Sequence, residues 1–325
     1  MISAATKSIQ SRISKAAVSE ISLRFADGIN IAGQRWTRED DHQSHSSPRK
    51  ILCLHGWMDN CRSFHYLAPN LISHLPDAEV VAIDLPGHGW SSHKSADGPP
   101  MMIAEASYYV AETVNALNWQ NTFTLVGHSM GAAISVIYAA AFPEQVNKMV
   151  LLDGFGPFVR DPSDVSNHLR SHIERRLKQR DIKELTTSRV YPSIHDAVET
   201  RRKTATMAPG KLYLSQEAAL ELVTRGTREA GGGGVQFRHD PRLQWPALQY
   251  FTIEQTEALY RHLQCPTCLI TGKDGWPFDK DLVDRAKLLI KPTVDVLLPG
   301  SHHLHADPDT SDVVLQHILR FLDQN

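Results

Sequence analysis

An α/β fold is what this sequence predicts: a mostly parallel central sheet flanked by helices and interrupted by one helical insertion. Three observations predict it. Six short apolar runs each lead into a glycine turn: ILCLHG (51–56), EVVAIDLPGHG (79–89), TFTLVGHS (122–129), KMVLLDGFG (148–156), TCLITGKDG (267–275) and VDVLLPGSHH (294–303). Runs that are apolar throughout, rather than alternating, belong to strands buried on both faces, as in parallel sheets. Helix-period segments such as ASYYVAETVNALN (106–118) and GAAISVIYAAAF (131–142) lie between them, the alternation that builds βαβ units. From Pro157 to about Leu263 this rhythm stops, and charged helical patterns replace it, followed by a flexible GGGG (231–234).

Taken in order, residues 1–19 read as a flexible N-terminal arm. ISLRF (21–25) and INIAGQRW (29–36) alternate like two strands joined at Ala26-Asp27-Gly28, a hairpin signal. Residues 37–50 are polar and read as a surface loop. The organisation that follows is an α/β core at 20–156 and 264–325, with a helical insertion at 157–263. An insertion between sheet strands can lie over their carboxyl ends, where open α/β sheets bind ligands.

Composition narrows the function classes. The 325 residues carry a net charge of −2, which offers no electrostatic case for nucleic acid or an anionic membrane. No apolar run approaches the roughly 18 residues of a membrane span, so no integral membrane segment is expected. The four cysteines are Cys53, Cys61, Cys265 and Cys268. The last two form a lone C-x-x-C without the second pair or spaced histidines of a zinc site, so ordinary reduced thiols are expected and no metal or cofactor. Few cysteines in a large chain fit a reducing, intracellular compartment, the cytoplasm in the first instance. The basic, Ser-rich N-terminus is the one feature that argues for organelle targeting instead.

The chemistry centres on TLVGHSMGAAISVIYAA (124–140). Gly127 and Gly131 flank Ser129 in a G-x-S-x-G pattern, with an apolar strand before it and an Ala-rich helix after it. A sharp strand-to-helix turn strains its central residue and exposes the side chain above the sheet edge. Ser129 is therefore the candidate nucleophile. The Met130 N–H at the helix start is one candidate oxyanion donor, and the Trp57 N–H in HGWMDN (55–60) is the second.

A serine hydroxyl needs a general base. PGSHHLHADP (299–308) follows the last apolar strand and holds His302, His303 and His305, of which His302 is the first choice and His305 the second. The orienting carboxylate is Asp153 or Asp274, each just beyond a strand. DLPGHGWSS (84–92) is expected to shape and stiffen loops near the site; it lacks the pattern of a phosphate cradle.

Together HGWMDN, DLPGHGWSS, LVGHSMGA and PGSHHLHADP resemble the α/β-hydrolase superfamily in order and spacing, over roughly residues 20–323. More narrowly, HGWMDNCRSF, GHSMGAAISVIYAAAFPEQV, LELVTRGTRE followed by FRHDPRL, and the final PGSHHLH are similar to the serine hydrolase-like protein group. The resemblance implies the α/β-hydrolase fold, Ser129 as nucleophile, His302 as base, a helical cap over the site and hydrolysis of an ester or related acyl substrate through an acyl-enzyme. Acyl transfer, carbon–carbon hydrolysis and a non-catalytic ligand-binding role are the alternatives on the same fold. The chain departs from the family at one point. Many members carry the acid three residues after the glycine ending the penultimate strand, where this chain has Gly275, with Asp274 one residue early. Members without that acid use an aspartate after the strand that follows the nucleophile helix, the position of Asp153. Haloalkane dehalogenases and epoxide hydrolases, which are similar, use an aspartate nucleophile, and Ser129 argues against both.

Overall fold

A computed structural model describes residues 16–39, 48–119, 121–180, 189–209 and 212–324. Most of the expected N-terminal arm and of the polar 37–50 loop lies outside the described residues. The arm ends earlier than residue 19, because residues from Ala16 onward already form the first strand.

Eight strands make the main sheet. In chain order they are β1 (Ala16–Arg24), β2 (Asn30–Arg38), β3 (Arg49–Leu54), β4 (Ala78–Ile83), β5 (Phe123–His128), β6 (Val146–Leu152), then β10 (Thr267–Asp274) and β11 (Val294–Ser301). They lie side by side as β1-β2-β4-β3-β5-β6-β10-β11. The β1–β2 hairpin pairs antiparallel onto β4, and from β4 to β11 every pairing is parallel. β4 and β5 are buried along their whole length, as their unbroken apolar sequences require.

Helices cover both faces. One face carries α2 (Ala106–Ala116), α3 (Met130–Ala141), α7 (Ile253–His262) and α8 (Lys280–Ile290), packed on Leu52, Leu54, Val81, Leu125 and Leu151. The other carries α1 (Leu67–His74) and α9 (Ser311–Leu322), packed on Ile51, Cys53, Val80, Val126 and Ile270. Adjacent strand residues thus feed opposite core layers, the period-2 alternation of a pleated sheet.

The segment between β6 and β10 is not helical throughout, as the helical insertion expected at 157–263 would be. It holds α4 (Val165–Arg180), α5 (Ile194–Met207) and α6 (Gln216–Gly226). It also holds a three-stranded antiparallel sheet of β7 (Val190–Tyr191), β8 (Thr227–Glu229) and β9 (Val235–Phe237). The GGGG read as flexible is the turn of the β8–β9 hairpin, where Gly232, Gly233 and Gly234 all take positive φ. The last helix of the expected insertion, α7, sits apart from these elements: it packs on α3 and α8, and its Tyr260 is buried in the core layer. Of the others, α5, α6, β7 and β9 share a small core that includes Tyr191, Val198, Leu214, Leu222 and Val223.

Candidate active site

The register places one set of chain ends together. Leu54 pairs with Gly127, and His128 pairs with Leu152, so β3, β5 and β6 end level at their carboxyl edge. The loops after β3, β5, β6, β10 and β11 all leave from that edge, and between them they carry Trp57, Ser129, Asp153, Trp276 and His302.

The turn at Ser129 is as sharp as its sequence implies. Ser129 has φ 50° and ψ −111°, a conformation that L-residues rarely adopt. Its two glycines are explained by contact distances. A Cβ on Gly127 would lie 2.4 Å from the Gly131 carbonyl oxygen, and one on Gly131 would lie 2.0 Å from the Leu54 carbonyl oxygen. Strand β3, strand β5 and helix α3 therefore meet backbone to backbone, and no side chain fits between them. The Ser129 N–H donates to the Leu152 carbonyl (3.0 Å), while its own carbonyl accepts from Ala132 and Ala133, leaving the hydroxyl projecting.

That hydroxyl stands 2.9 Å from His302 Nε2, and His302 Nδ1 lies 2.5 Å from Asp153 Oδ2. Asp153 also takes positive φ, 43°. Its carboxylate accepts from the Gly272 N–H (3.0 Å) and the Trp276 N–H (2.9 Å), so three donors hold it in one orientation. Asp274 is exposed at the bulged end of β10, paired with Ser301, and is not part of this chain of contacts. The glycine at the usual acid position now has a reason: a Cβ on Gly275 would fall 2.4 Å from Asp153 Oδ1. Asp153 fills the space that an acid side chain at 275 would enter, so the two positions are mutually exclusive.

Trp57 and Met130 both face the cavity in front of Ser129. Met130 heads α3, where backbone N–H groups have no intrahelical acceptor. Trp57 is half exposed and its indole N–H donates to the Leu243 carbonyl (3.1 Å), tying this loop to the inserted segment.

The other histidines have separate places. His303 Nε2 donates to Asp59 Oδ2 (3.1 Å), and Arg201 on α5 donates to Asp59 Oδ1 (2.7 Å). His128, beside the serine, is fully buried; its Nε2–H donates to the His302 carbonyl (2.8 Å), bracing the loop that carries His302. Burial, with the neighbouring histidines, holds His128 well below the usual imidazole range, and burial lowers His303 too. Asp59 is held well below the usual carboxylate range: His303 and Arg201 outweigh its burial. His305 packs its ring against His128 and Phe64 with both nitrogens buried and unpartnered, and burial lowers it to about 3.

Asp59, His128 and His303 bring three potential ligand atoms within 4.8 Å of one another. Asp59 is already committed to Arg201 and His303, so the group reads as a hydrogen-bond network rather than a metal centre. This network was not found from the sequence. Asp59 and His303 are 244 positions apart, and nothing in either local motif announces the pairing.

Known proteins match this chain over most of its length. Residues 50–308 match the family model described as alpha/beta hydrolase fold. A Drosophila melanogaster protein named "Probable serine hydrolase" is 34% identical over 280 residues, covering 84% of this chain and 81% of that protein. The Danio rerio "Serine hydrolase-like protein" is 32% identical over 300 residues, covering 89% and 85%. The crystal structure of the hypothetical protein PA1622 from Pseudomonas aeruginosa PAO1 superposes with a TM-score of 0.79 at 28% identity, over 94% of this chain and 99% of that one. The chain belongs to the α/β-hydrolase fold family and, within it, to the serine hydrolase-like group. Among the described residues, no helix is long and apolar enough to cross a membrane.

Proposed function

We propose that the protein is a serine hydrolase that cleaves a carboxylic ester or related acyl substrate through an acyl-enzyme. One observation carries the reading: the unbroken contact chain from Ser129 Oγ to His302 Nε2 (2.9 Å) and from His302 Nδ1 to Asp153 Oδ2 (2.5 Å). In this reading Ser129 attacks the acyl carbonyl while His302 Nε2 takes its proton. Asp153 keeps the imidazole in the required tautomer and stabilises its cationic form. The amides of Met130 and Trp57 stabilise the oxyanion as it develops. His302 then returns the proton to the leaving group, the Ser129 ester forms, and a water activated by the same imidazole releases the acid. Asp274 has no part in the chemistry.

The inserted segment is the cap in this proposal: its Trp245 and Tyr250 wall the cavity in front of Ser129 and set which acyl groups enter. The substrate is a small molecule. The free state of all four cysteines, three of them buried, supports a reducing intracellular compartment.

Ser129→Ala tests the mechanism. Hydrolysis of p-nitrophenyl esters should fall by about 10⁶ in kcat, the scale seen when a triad serine is removed. Turnover retained in that variant would end the proposal.

A further inference from the structure

Two adjoining cavities lie near the triad, the larger of them beside Ser129. The larger, about 380 Å³, has Ser129, Met130 and Trp57 in its wall together with Met101, Met102 and Phe251. The smaller, about 200 Å³, has Tyr260, Trp276 and Glu257 in its wall. They share Gly156, Phe158 and Phe278 as wall residues, so the two lie directly against one another.

Charge is almost absent from the larger cavity. Among the described residues that wall it, Arg242 is the one permanently charged side chain. Its guanidinium is spent: it donates to the Asp240 carboxylate and to the carbonyls of Ser95 (2.7 Å), Gly98 (3.0 Å) and Lys94 (2.6 Å). It is also 2% exposed, so it cannot turn toward a ligand. The wall's imidazole, His172, is buried and its Nδ1 is held by the Pro246 carbonyl (2.9 Å). Among the described residues that wall the larger cavity, no permanent cation is therefore free to pair with a carboxylate or phosphate on an acyl chain, and a buried charge without a partner is strongly disfavoured.

The two cavities also differ in what they stand next to. The candidate oxyanion donors, Met130 and Trp57, belong to the larger one. Trp276 belongs to the smaller one, and its ring centre is 5.7 Å from that of His302, the group that must protonate the leaving group. The smaller cavity is the more polar at its edge, where Glu257 pairs with Arg261 and Arg285.

We infer that the larger cavity binds a neutral, apolar acyl chain and that the leaving group faces the smaller cavity beside Trp276. This rests on the triad reading above. It adds the substrate class: uncharged acyl esters of intermediate length, with chains bearing a terminal anion rejected. At the roughly 30 Å³ that a liquid allows each small group, 380 Å³ is on the scale of about a dozen heavy atoms.

The experiment is kcat/KM for a series of straight-chain p-nitrophenyl esters, from acetate to myristate. The expected profile climbs by roughly fourfold per methylene, equivalent to about 0.8 kcal/mol, and falls again beyond about a dozen carbons. An ester of the same length ending in a carboxylate should be at least about 100-fold poorer. Met102→Trp should move the optimum to shorter chains and Met102→Ala to longer ones, with Ser129 still modified by a fluorophosphonate in each. A flat profile, or a preference for the carboxylate-terminated ester, in protein whose Ser129 takes the label overturns this inference and leaves the triad reading intact. Folded protein that neither labels nor turns over any ester overturns both.

Discussion

Ser129, Asp153 and Met58 are three of the five non-glycine residues with positive φ among those described, and all three lie in loops at the carboxyl edge of the sheet. Strain of this kind, about 1–3 kcal/mol per residue, persists only where surrounding structure over-determines it. At Asp153 the determinants are the Gly272 and Trp276 amides and the space left by Gly275. Asp153→Asn should therefore lower kcat by about 10⁴, as loss of an orienting carboxylate does in other triads, while Asp274→Asn should stay within about twofold; ester hydrolysis by both variants checks this. His305 provides a pH prediction. Burial lowers it from 6.5 to about 3. Between those values the unfolded chain binds a proton there and the folded chain does not. Its stabilising effect is thus complete above pH 6.5 and is lost progressively as pH falls toward 3. Urea unfolding across that window should lose stability more gently in His305→Leu than in the parent, by about 1.4 kcal/mol per pH unit. At this scale, Ser129 and His302 were readable because each sits in a motif whose context is local. The choice between Asp153 and Asp274 was not, since it depends on which of two loops has room beside the imidazole.

At the scale of elements, the tightest constraint is where β3, β5 and α3 meet. Gly131→Ala would set a methyl 2.0 Å from the Leu54 carbonyl oxygen, which belongs to a central strand and has no freedom to retreat. It should destabilise the protein by about 3 kcal/mol or more, the upper end of overpacking costs. Gly231→Ala, where nothing lies within 4 Å, should change stability by less than about 0.5 kcal/mol. Denaturant midpoints of the two variants make the comparison. The main-sheet strands were legible because six apolar runs of strand length leave little else to be. The β7, β8 and β9 strands were not: at two or three residues each they are too short to show an alternating pattern, and distant pairing creates them. The pull of α7 into the core was equally hidden, since an amphipathic helix does not declare which layer its apolar face will meet.

At the scale of the whole molecule, the inserted segment is tied to the sheet by buried ions. Arg225 on α6 donates to Asp84 (2.8 Å) at the end of β4 and to Glu20 (2.9 Å) on β1, and its guanidinium lies over the Trp90 ring. Arg225 and Asp84 are both buried. Arg225→Leu would strand the Asp84 carboxylate and should cost about 3–5 kcal/mol, seen as a lower urea midpoint and as faster proteolytic cleavage between residues 189 and 240. All of this chemistry depends on Ser129 being an activated nucleophile. The most direct measurement is reaction with a fluorophosphonate probe, with the modified peptide mapped by mass spectrometry. A single adduct on Ser129, lost in His302→Ala, is expected. Folded protein that takes no adduct at Ser129, or takes it undiminished without His302, would contradict it.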